Sequence, residues 1–392
     1  MNILVISRIL NIPSVLPDND FIYHLYENYT RLFKGSNVVI IYPVKYDFNI
    51  VSIIKGRTRL QKLNHKLRWI INDFQVEIFP YFAAWRIRNL HALVSRSIYY
   101  LNKNRINNLF KHHKFDIVHA RFIFADGMLA YQISRKYRVP YVVSTHDELF
   151  YFKHFYSRKM AFKILRNATY VLPVSHVNMM FFKSHGITQV SQIPHGIYDS
   201  FIKPQRNTKN RKVRILTICR LLKYKNVDKV IIALNQLKDT HDFDYTLIGM
   251  GPEKEYLQEL VYAKGLKELV NFIDEIPYEH VAEEMYQYDI FILPSYFEAF
   301  GRVYFEAMAM GIPIICAKES GIYGLFKENV EGLAVDHTNI QEIVRTLGFL
   351  IDNREERLEI GINGQKLVKS YTWENIARTM HQTYLDCITT QP

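Results

Sequence analysis

The sequence predicts two doubly wound α/β domains in tandem, each a parallel sheet covered by helices on both faces. Short apolar runs alternate with longer helical patterns throughout the 392 residues, which is the rhythm of parallel sheets flanked by helices. The stretch 203–212, KPQRNTKNRK, is polar and charged and has no aliphatic or aromatic residue, which is typical of a linker. After it the alternation begins again, so we expect one domain at 1–200 and another at 201–370.

The elements follow in order along the chain. In the first domain, helical patterns occupy 22–34, 90–112, 126–137 and 156–168, and strands are expected at 2–7, 38–44, 116–120, 141–146, 170–175 and 190–195. In the second domain, helices are expected from about 226 and near 253–264 and 279–287. Its strands are expected at 214–220, 245–251, 270–275, 289–295, 312–317 and 332–335.

Composition limits the class of protein. Apolar residues make up 48% and charged residues 22% of the chain, which is globular and argues against disorder. No apolar run reaches eighteen residues, so no membrane-spanning helix is expected. The N-terminal run containing Arg8 is interpreted as a strand rather than a signal peptide. Three cysteines without metal-ligand spacing fit a reducing compartment, and we expect the cytosol.

The charge is uneven. Residues 1–200 contain 27 Lys/Arg and 11 Asp/Glu, whereas residues 201–392 contain 23 and 27. Residues 48–72 and 78–115 contain basic residues, interleaved with aromatic ones, and no acidic residue. This mixture suits an anionic surface, either membrane headgroups or nucleic acid, although a solvated helical face is the simpler alternative.

Two glutamates lie in the apolar segment 295–315, SYFEAFGRVYFEAMAMGIPII. Glu298 falls in the loop after a predicted strand, and Glu306 falls in the first turns of the next helix. In doubly wound domains, ligands bind at the carboxyl ends of strands, where a carboxylate accepts hydrogen bonds from hydroxyls. Gly301 allows close backbone approach there. By spacing alone, a helix-dipole role for Glu306 and a surface role for Glu298 are equally consistent.

Two further loops follow predicted strands of the second domain. Arg220, Lys223 and Lys225 lie within six residues, before a helix N-terminus, which suits a diphosphate leaving group. The alternative, an ordinary surface cation, fits Lys223 well and Arg220 poorly. Gly249 and Gly251 flank Met250 in a GxG pattern, which lacks the third glycine of the dinucleotide fingerprint.

The first domain offers histidines at strand ends. His146 is a candidate for binding or proton transfer, although a lone histidine is more often structural. His119, with Arg121 and Asp126, occupies a similar position. Asp242-Phe243-Asp244 has the form of a metal-binding DxD motif, but it precedes a strand, and we interpret it as a polar turn.

Together these segments resemble the retaining GT-B glycosyltransferases of family 4, from about residue 115 to the C-terminus. The most specific match is PSYFEAFGRVYFEAMAMGIPII, which is similar to the family pattern of two glutamates separated by seven residues. Three further segments match in the expected order: VSHVNMMFFKSHGI with QIPHGIYDSF, RLLKYKN, and LIGMGPEKEYL.

The resemblance implies two Rossmann-like domains facing a cleft, and it assigns roles to named residues. The residue matching Glu298 lies near the donor sugar, and the one matching Glu306 holds the ribose. Residues matching Arg220 and Lys225 grip the diphosphate in place of a metal, and the histidine matching His146 lies near the transferred sugar. Phe300, Gly301, Gly249 and Gly251 complete the donor-binding set. The final helix, 371–392, is expected to pack back onto the first domain.

Three segments depart from the family pattern. The loop after the first strand, SRILNIPSVLPDND, contains no glycine. Pro194-His195-Gly196 stands where many members have Pro-Asn-Gly, and Gly324 stands where many have glutamate. These departures leave the identity of the donor open.

The predicted function is a metal-independent retaining glycosyltransferase without a cofactor. It would move a hexose-type sugar from a UDP- or GDP-sugar to a lipid-linked or cell-surface polysaccharide precursor, such as capsule or lipopolysaccharide. The basic first domain would bind the acceptor at the inner face of the cell membrane, and no nucleic acid is expected. The alternatives are a nucleotide-sugar epimerase on the same fold and a non-catalytic protein that binds anionic surfaces.

Overall fold

The computed structural model describes residues 1–10, 21–46, 67–82, 91–146, 148–204 and 212–389. Contacts divide the chain into two compact units. The first comprises residues 1–174, 178–194 and 373–392, and the second comprises 175–177 and 195–372. The division falls between Pro194 and His195, six residues before the boundary placed at residue 200. Most of the expected linker, residues 205–211, lies outside the described residues.

The first unit contains a seven-stranded sheet. Its strands are β1 (Asn2–Ile6), β2 (Asn37–Tyr46), β3 (Arg68–Ile71), β4 (Phe74–Phe82), β5 (Ile117–Ala120), β6 (Tyr141–Thr145) and β7 (Tyr170–Pro173), in the spatial order β3-β4-β2-β1-β5-β6-β7. All neighbours are parallel except β3, which is antiparallel to β4. The helices are α1 (Phe21–Leu32), α2 (His91–Leu101), α3 (Lys103–His112), α4 (Met128–Tyr137), α5 (Phe155–Arg166) and α6 (His176–Ser184).

The second unit contains a six-stranded sheet in which every pair of neighbours is parallel. Its strands are β8 (Val213–Ile218), β9 (Phe243–Ile248), β10 (Val270–Ile273), β11 (Ile290–Leu293), β12 (Ile314–Ala317) and β13 (Leu333–Val335), in the order β10-β9-β8-β11-β12-β13. The helices are α7 (Val227–Leu237), α8 (Lys254–Ala263), α9 (Tyr278–Met285), α10 (Arg302–Ala309), α11 (Ile340–Asp352) and α12 (Arg354–Val368).

The predicted α/β architecture is confirmed, and the burial of the strands explains why the sequence indicated it. Ile3–Ile6 of β1 and Ile290–Leu293 of β11 are almost completely buried along their whole length. A parallel strand covered by helices on both faces needs apolar residues at every position. These strands therefore appear as continuous apolar runs rather than as alternating patterns.

Three local features of the first unit differ from the sequence prediction. β3 and β4 form an unpredicted hairpin, closed by Asn72 and Asp73 with φ values of 47° and 65°, since these two residue types tolerate left-handed turns. The expected helix 90–112 is interrupted at Asn102, whose amide donates to the carbonyl oxygens of Pro80 and Ile98. The expected strand 190–195 is reduced to a single bridge at Val190.

The C-terminal helix α13 (Trp373–Thr389) belongs to the first unit, where it packs against α1. Its Tyr384 hydroxyl lies 2.6 Å from Nδ1 of buried His119, and Tyr26 of α1 also contacts that nitrogen, at 2.8 Å. His381 of the same helix is hydrogen-bonded to the Tyr29 hydroxyl at 2.7 Å. These buried polar contacts fix the position of the helix on α1.

Among the described residues, no helix is long and apolar enough to cross a membrane. All three cysteines lie in the described part of the chain and none forms a disulfide. Cys316 is fully buried in β12, as expected for a structural thiol.

Candidate functional site in the second unit and histidines of the first

In the second unit, the loops that follow β8, β9 and β11 meet at the carboxyl edge of the sheet. β8 lies between β9 and β11, so its loop contacts both neighbours. The Leu221 amide donates to the Met250 carbonyl at 2.9 Å, and the Tyr296 amide donates to the Tyr224 carbonyl at 3.0 Å. The sequence-predicted residues on these loops are therefore brought together by main-chain hydrogen bonds.

Lys225 and Glu298 form an ion pair at this edge. The Lys225 ammonium donates to Oε1 of Glu298, and the Ser295 hydroxyl donates to the same oxygen at 3.2 Å. The two charged side chains are only 12% and 13% exposed. Mostly buried charges need a counter-ion, and here each side chain is the counter-ion of the other. An anionic ligand that reached Lys225 would compete with Glu298 for the ammonium group.

The position of Lys225 is set by the next residue. Asn226 has a left-handed φ of 55°, which Asn adopts more readily than most residues, and its side-chain amide donates to the Pro294 carbonyl at 2.8 Å. This bond ties the start of α7 to the loop that carries Glu298. The chain leaves β8 and enters α7 with Lys225 directed at the carboxylate.

Arg220 lies on the same loop and is solvent-exposed. Its neighbour Leu221 is fully buried, and the Cys219 amide is bonded to the Ile248 carbonyl at 3.1 Å. The backbone on both sides is therefore fixed, and the guanidinium is free to meet a ligand at the carboxyl edge.

Gly249 and Gly251 are needed where their loop crosses the Arg220 loop. A Cβ at Gly249, whose φ is +144°, would lie 1.9 Å from the Cys219 carbonyl oxygen, and one at Gly251 would lie 2.2 Å from that of Leu221. No side chain fits at such distances. The close backbone approach expected from the GxG pattern is thus made to the neighbouring loop, and contact with a nucleotide stays a prediction.

Glu306 lies in the second turn of α10 and is 5% exposed. The Tyr278 hydroxyl donates to its Oε1 at 2.8 Å. Burial raises the pKa of Glu306, while the Arg302 charge and the Tyr278 hydrogen bond act in the opposite direction. The carboxylate is thus a buried acceptor with one oxygen already oriented, suited to binding a hydroxyl group.

Tyr278 was missed by sequence reasoning. It is the first residue of α9, which follows β10, so it too lies at the carboxyl edge of the sheet. Burial and the nearby Glu306 carboxylate raise the pKa of its hydroxyl, which therefore keeps its proton as a donor. The rule that pointed to the other loops, applied to β10, would have found it.

Phe300 and Gly301 shape the turn between β11 and α10. Gly301 has a φ of +76°, and a Cβ there would lie 2.5 Å from the Tyr304 ring, so glycine is required. The Phe300 side chain is 2% exposed and packs edge-on against His195 at 5.2 Å between centroids. Any ligand contact at Phe300 must therefore use the main chain.

His146 lies in the first unit, directly after β6, and is 6% exposed. The ring packs against Phe122 at 4.8 Å and against Phe21 at 6.0 Å between centroids. Burial and the charges of Arg121 and Arg8 hold the pKa of His146 well below its usual range. The imidazole is neutral at physiological pH, and its catalytic role stays a prediction. Asp147 lies outside the described residues.

The other strand-end groups of the first unit are structural. His119 is fully buried, with Nε2 2.8 Å from the Ser144 hydroxyl and two tyrosine hydroxyls at Nδ1. Asp126 is fully buried and accepts a hydrogen bond from the Arg8 amide at 3.2 Å. These side chains fix the turn after β5.

Two further expectations can be compared with the structure. Asp242 directly precedes β9 and Asp244 is its second residue, beside Lys212 at 3.4 and 3.6 Å, so the segment enters the amino end of the strand rather than forming a turn. Among the described residues there is no group of three metal-ligating side chains. The departure at Gly324 also has a physical cause within the second unit: φ is +86°, and a Cβ would lie 2.6 Å from the ring of His176, which belongs to the same unit.

Two family profiles match the chain in succession. The profile described as Glycosyltransferase Family 4 matches residues 57–201, and the profile described as Glycosyl transferases group 1 matches residues 199–367. The junction of the two matches falls close to the division between the two units.

Relatives and solved structures agree with these profiles. Glycosyltransferase MJ1178 of Methanocaldococcus jannaschii is 24% identical over 75% of this chain and 82% of its own length, whereas MJ1607 of the same organism is 28% identical over 43% and 44%. The alpha-monoglucosyldiacylglycerol synthase of Acholeplasma laidlawii is 24% identical over 70% and 76%. Anabaena Alr3699/HepE, solved in complex with UDP, shares the fold with a TM-score of 0.70 and 17% identity over 98% and 100%.

Two parallel-sheet α/β units that match these two profiles in succession define a glycosyltransferase of the GT-B class. The chain belongs to the family 4, group 1 glycosyltransferases. The comparisons favour neither the epimerase nor the non-catalytic alternative.

Proposed function

We propose that this glycosyltransferase moves a hexose-type sugar from a UDP- or GDP-sugar to a lipid-linked or cell-surface glycan precursor. The transfer retains the anomeric configuration and uses no metal ion. The observation that carries this proposal is the partly buried Lys225–Glu298 pair, with exposed Arg220 on the same loop. It supplies two cations and one carboxylate at the edge where doubly wound domains bind ligands.

The two cations would act on the diphosphate. As the bond from the sugar to the diphosphate breaks, negative charge develops on the leaving group, and Arg220 and Lys225 stabilise it. Lys225 has a second role, because before the donor binds it neutralises Glu298. When the diphosphate takes a share of the ammonium, the Glu298 carboxylate becomes available to the donor sugar.

Glu306 would hold the nucleotide through the ribose. Its carboxylate is buried and one oxygen accepts from Tyr278, which leaves the second oxygen for a ribose hydroxyl. Such a hydrogen bond to a charged group contributes about 1.5–3 kcal/mol. The complex of HepE with UDP, a protein of the same fold, supports a nucleotide-sugar donor.

The first unit would receive the acceptor at the cytoplasmic face of a membrane. Its basic composition supports an anionic surface, and one relative is named a glucosyldiacylglycerol synthase. His146 is neutral, so it would meet the transferred sugar as a hydrogen-bonding group rather than as a charge. Capsule, lipopolysaccharide and similar glycans are the expected products.

The test is thermal stabilisation by UDP, GDP and ADP, each with and without Mg²⁺. Ligand at one hundred times its dissociation constant stabilises the fold by about 2.7 kcal/mol. We expect one nucleotide to raise the melting temperature equally in both conditions and to lose its effect in Glu306→Ala. A shift that requires Mg²⁺ would contradict metal independence, and no shift with any nucleotide would contradict the donor site.

A further inference from the structure

Four consecutive helices of the first unit, α2 to α5, contain ten Lys/Arg residues and no Asp or Glu. α2 packs against the other three, so the positive charge is concentrated on one helical layer. One of these cations has a carboxylate partner: Arg105 donates to buried Glu77 at 2.7 Å. The role of the remaining nine cations depends on the surface on which they lie.

Part of this surface forms a groove, which we call the basic groove. It has a volume of about 400 Å³ and is enclosed by side chains of α2, α4 and α5. Four cations line it: Arg96, Arg135, Lys136 and Lys163. Among the described residues that line it there is no carboxylate, and within the described part of the chain none of the four forms an ion pair.

The cations are held on the rim by aromatic and polar partners. The Arg135 guanidinium and the Lys163 ammonium lie 5.9 and 5.6 Å from the centroid of the Tyr131 ring, which is 9% exposed. The Lys136 ammonium donates to Asn107 at 2.6 Å. Because these partners carry no charge, the groove keeps its positive potential and suits an anionic group.

Exposed apolar side chains lie on α2 and α5, two of the helices that line the groove. Tyr100, which lines it, is 59% exposed, and Leu101 beside it is 51% exposed. On α5, Phe155 is 83% and Tyr156 is 42% exposed. Tyr156, Met160 and Lys163 are spaced by four and three residues, so they share one face of α5 with the groove lining.

Cations without carboxylate partners beside exposed aromatic residues are the combination that binds an anionic bilayer, with aromatic rings at the interface and basic groups at the phosphates. We propose that the basic groove binds the phosphate of an anionic phospholipid headgroup in a bilayer, while Tyr100, Leu101, Phe155 and Tyr156 enter the interface. This deepens the membrane association in the proposed function by naming the contacting residues.

The test is sedimentation of the full-length protein with vesicles, without any donor. One set is phosphatidylcholine alone, and the other contains one third phosphatidylglycerol. We expect binding only to the second set. Arg135→Gln/Lys163→Gln should weaken it on the order of thirty-fold, because each basic residue near such a surface contributes about one kcal/mol.

The matched control is Lys34→Gln/Lys114→Gln, which removes the same charge from exposed positions of the first unit outside the groove. We expect its binding to fall less than about three-fold. Equal losses in the two double variants would overturn the groove as a site and leave only diffuse attraction. Displacement by millimolar glycerol phosphate would also overturn it, since a small soluble anion would then be the ligand.

The unaltered protein and the groove double variant also separate the headgroup proposal from the donor proposal. Nucleotide stabilisation measured on the groove double variant should equal that of the unaltered protein. If the groove-dependent vesicle binding is found without any nucleotide response, the donor proposal fails and the headgroup site stands. If a nucleotide response is found without groove-dependent vesicle binding, the headgroup site fails and the transferase proposal stands.

Discussion

The carboxyl edges of the two sheets are built differently. In the second unit, the edge presents charge: Lys225 is paired with Glu298, and Glu306 accepts from Tyr278. In the first unit, His146 sits among aromatic rings and is kept neutral by burial and by Arg121 and Arg8. The same strand-end position thus carries paired charges in one sheet and a neutral imidazole in the other.

The main chain explains how the second edge can hold buried charge. Its loops are tied to one another by backbone hydrogen bonds, by Asn226 and by glycines that allow carbonyl contacts. Because these loops are already fixed, ligand binding causes little further loss of their conformational entropy. The comparison therefore predicts that changes at the second edge act on donor chemistry, whereas changes at His146 act first on stability.

The largest effect is expected for Lys225→Met. Loss of a cation that stabilises the leaving group should lower turnover of the donor on the order of 10²–10³-fold. It also leaves Glu298 without its counter-ion, so the melting temperature should fall as well. Steady-state kinetics and thermal unfolding measure the two effects.

The control is Lys223→Met, on the same turn but exposed, which should leave turnover within about two-fold. If both variants lose turnover equally, the pair with Glu298 has no special role and the contrast between the two edges disappears.

The next effect is expected for Gly249→Ala, which places a Cβ 1.9 Å from the Cys219 carbonyl oxygen. We expect destabilisation of about 3 kcal/mol, since the backbone of the Arg220 loop must move. Gly35→Ala is matched, with a φ of +84° but nothing within 4 Å of the added carbon, and should cost about 1 kcal/mol. Similar melting temperatures for the two variants would show that the loops can separate freely.

A smaller effect is expected for Tyr278→Phe, which removes the hydrogen bond to Glu306. Because that bond lowers the pKa of Glu306, its loss raises the pKa further, and nucleotide binding should be lost at a higher pH as the solution is acidified. At neutral pH we expect affinity to fall by about five-fold. Titration of the stabilising nucleotide across pH measures both, and an unchanged pH profile would separate Tyr278 from ribose binding.

The smallest effect concerns His146 and pH. Since the unfolded histidine binds a proton near pH 6.5 and the folded one has a depressed pKa, stability is complete above that pH and falls below it. The fall is about 1.4 kcal/mol per pH unit. His146→Gln should flatten part of this dependence while His112→Gln, an exposed control, leaves it unchanged. Part of the remaining slope belongs to His119 and His381, whose pKa values burial also lowers.

Sequence alone determined the architecture and most of the candidate residues. Short continuous apolar runs at Ile3–Ile6 and Ile290–Leu293, alternating with helical patterns, indicated strands buried on both faces, and ligand loops follow such strands. That logic indicated Arg220, Lys225, Glu298, Glu306 and His146 before any coordinates. The same rule extends to Tyr278 after β10, but its hydrogen bond to Glu306 is a contact between two helices that no sequence pattern indicated. Sequence reasoning missed the break at Asn102 and predicted a strand at 190–195 that is only a single bridge, because both depend on contacts with distant residues.

Only the tertiary structure decided which groups touch. Lys225 and Glu298 are 73 residues apart in the chain, and the spacing of charges along a sequence does not encode a pairing that depends on adjacent strands. The same holds for the glycines, whose requirement comes from carbonyls of another loop, and for the basic groove, whose cations come from three helices. Local apolar patterns indicate helices and strands because they reflect which residues are buried. The interaction between two charges depends on the distance between them, which only the packing of the chain sets.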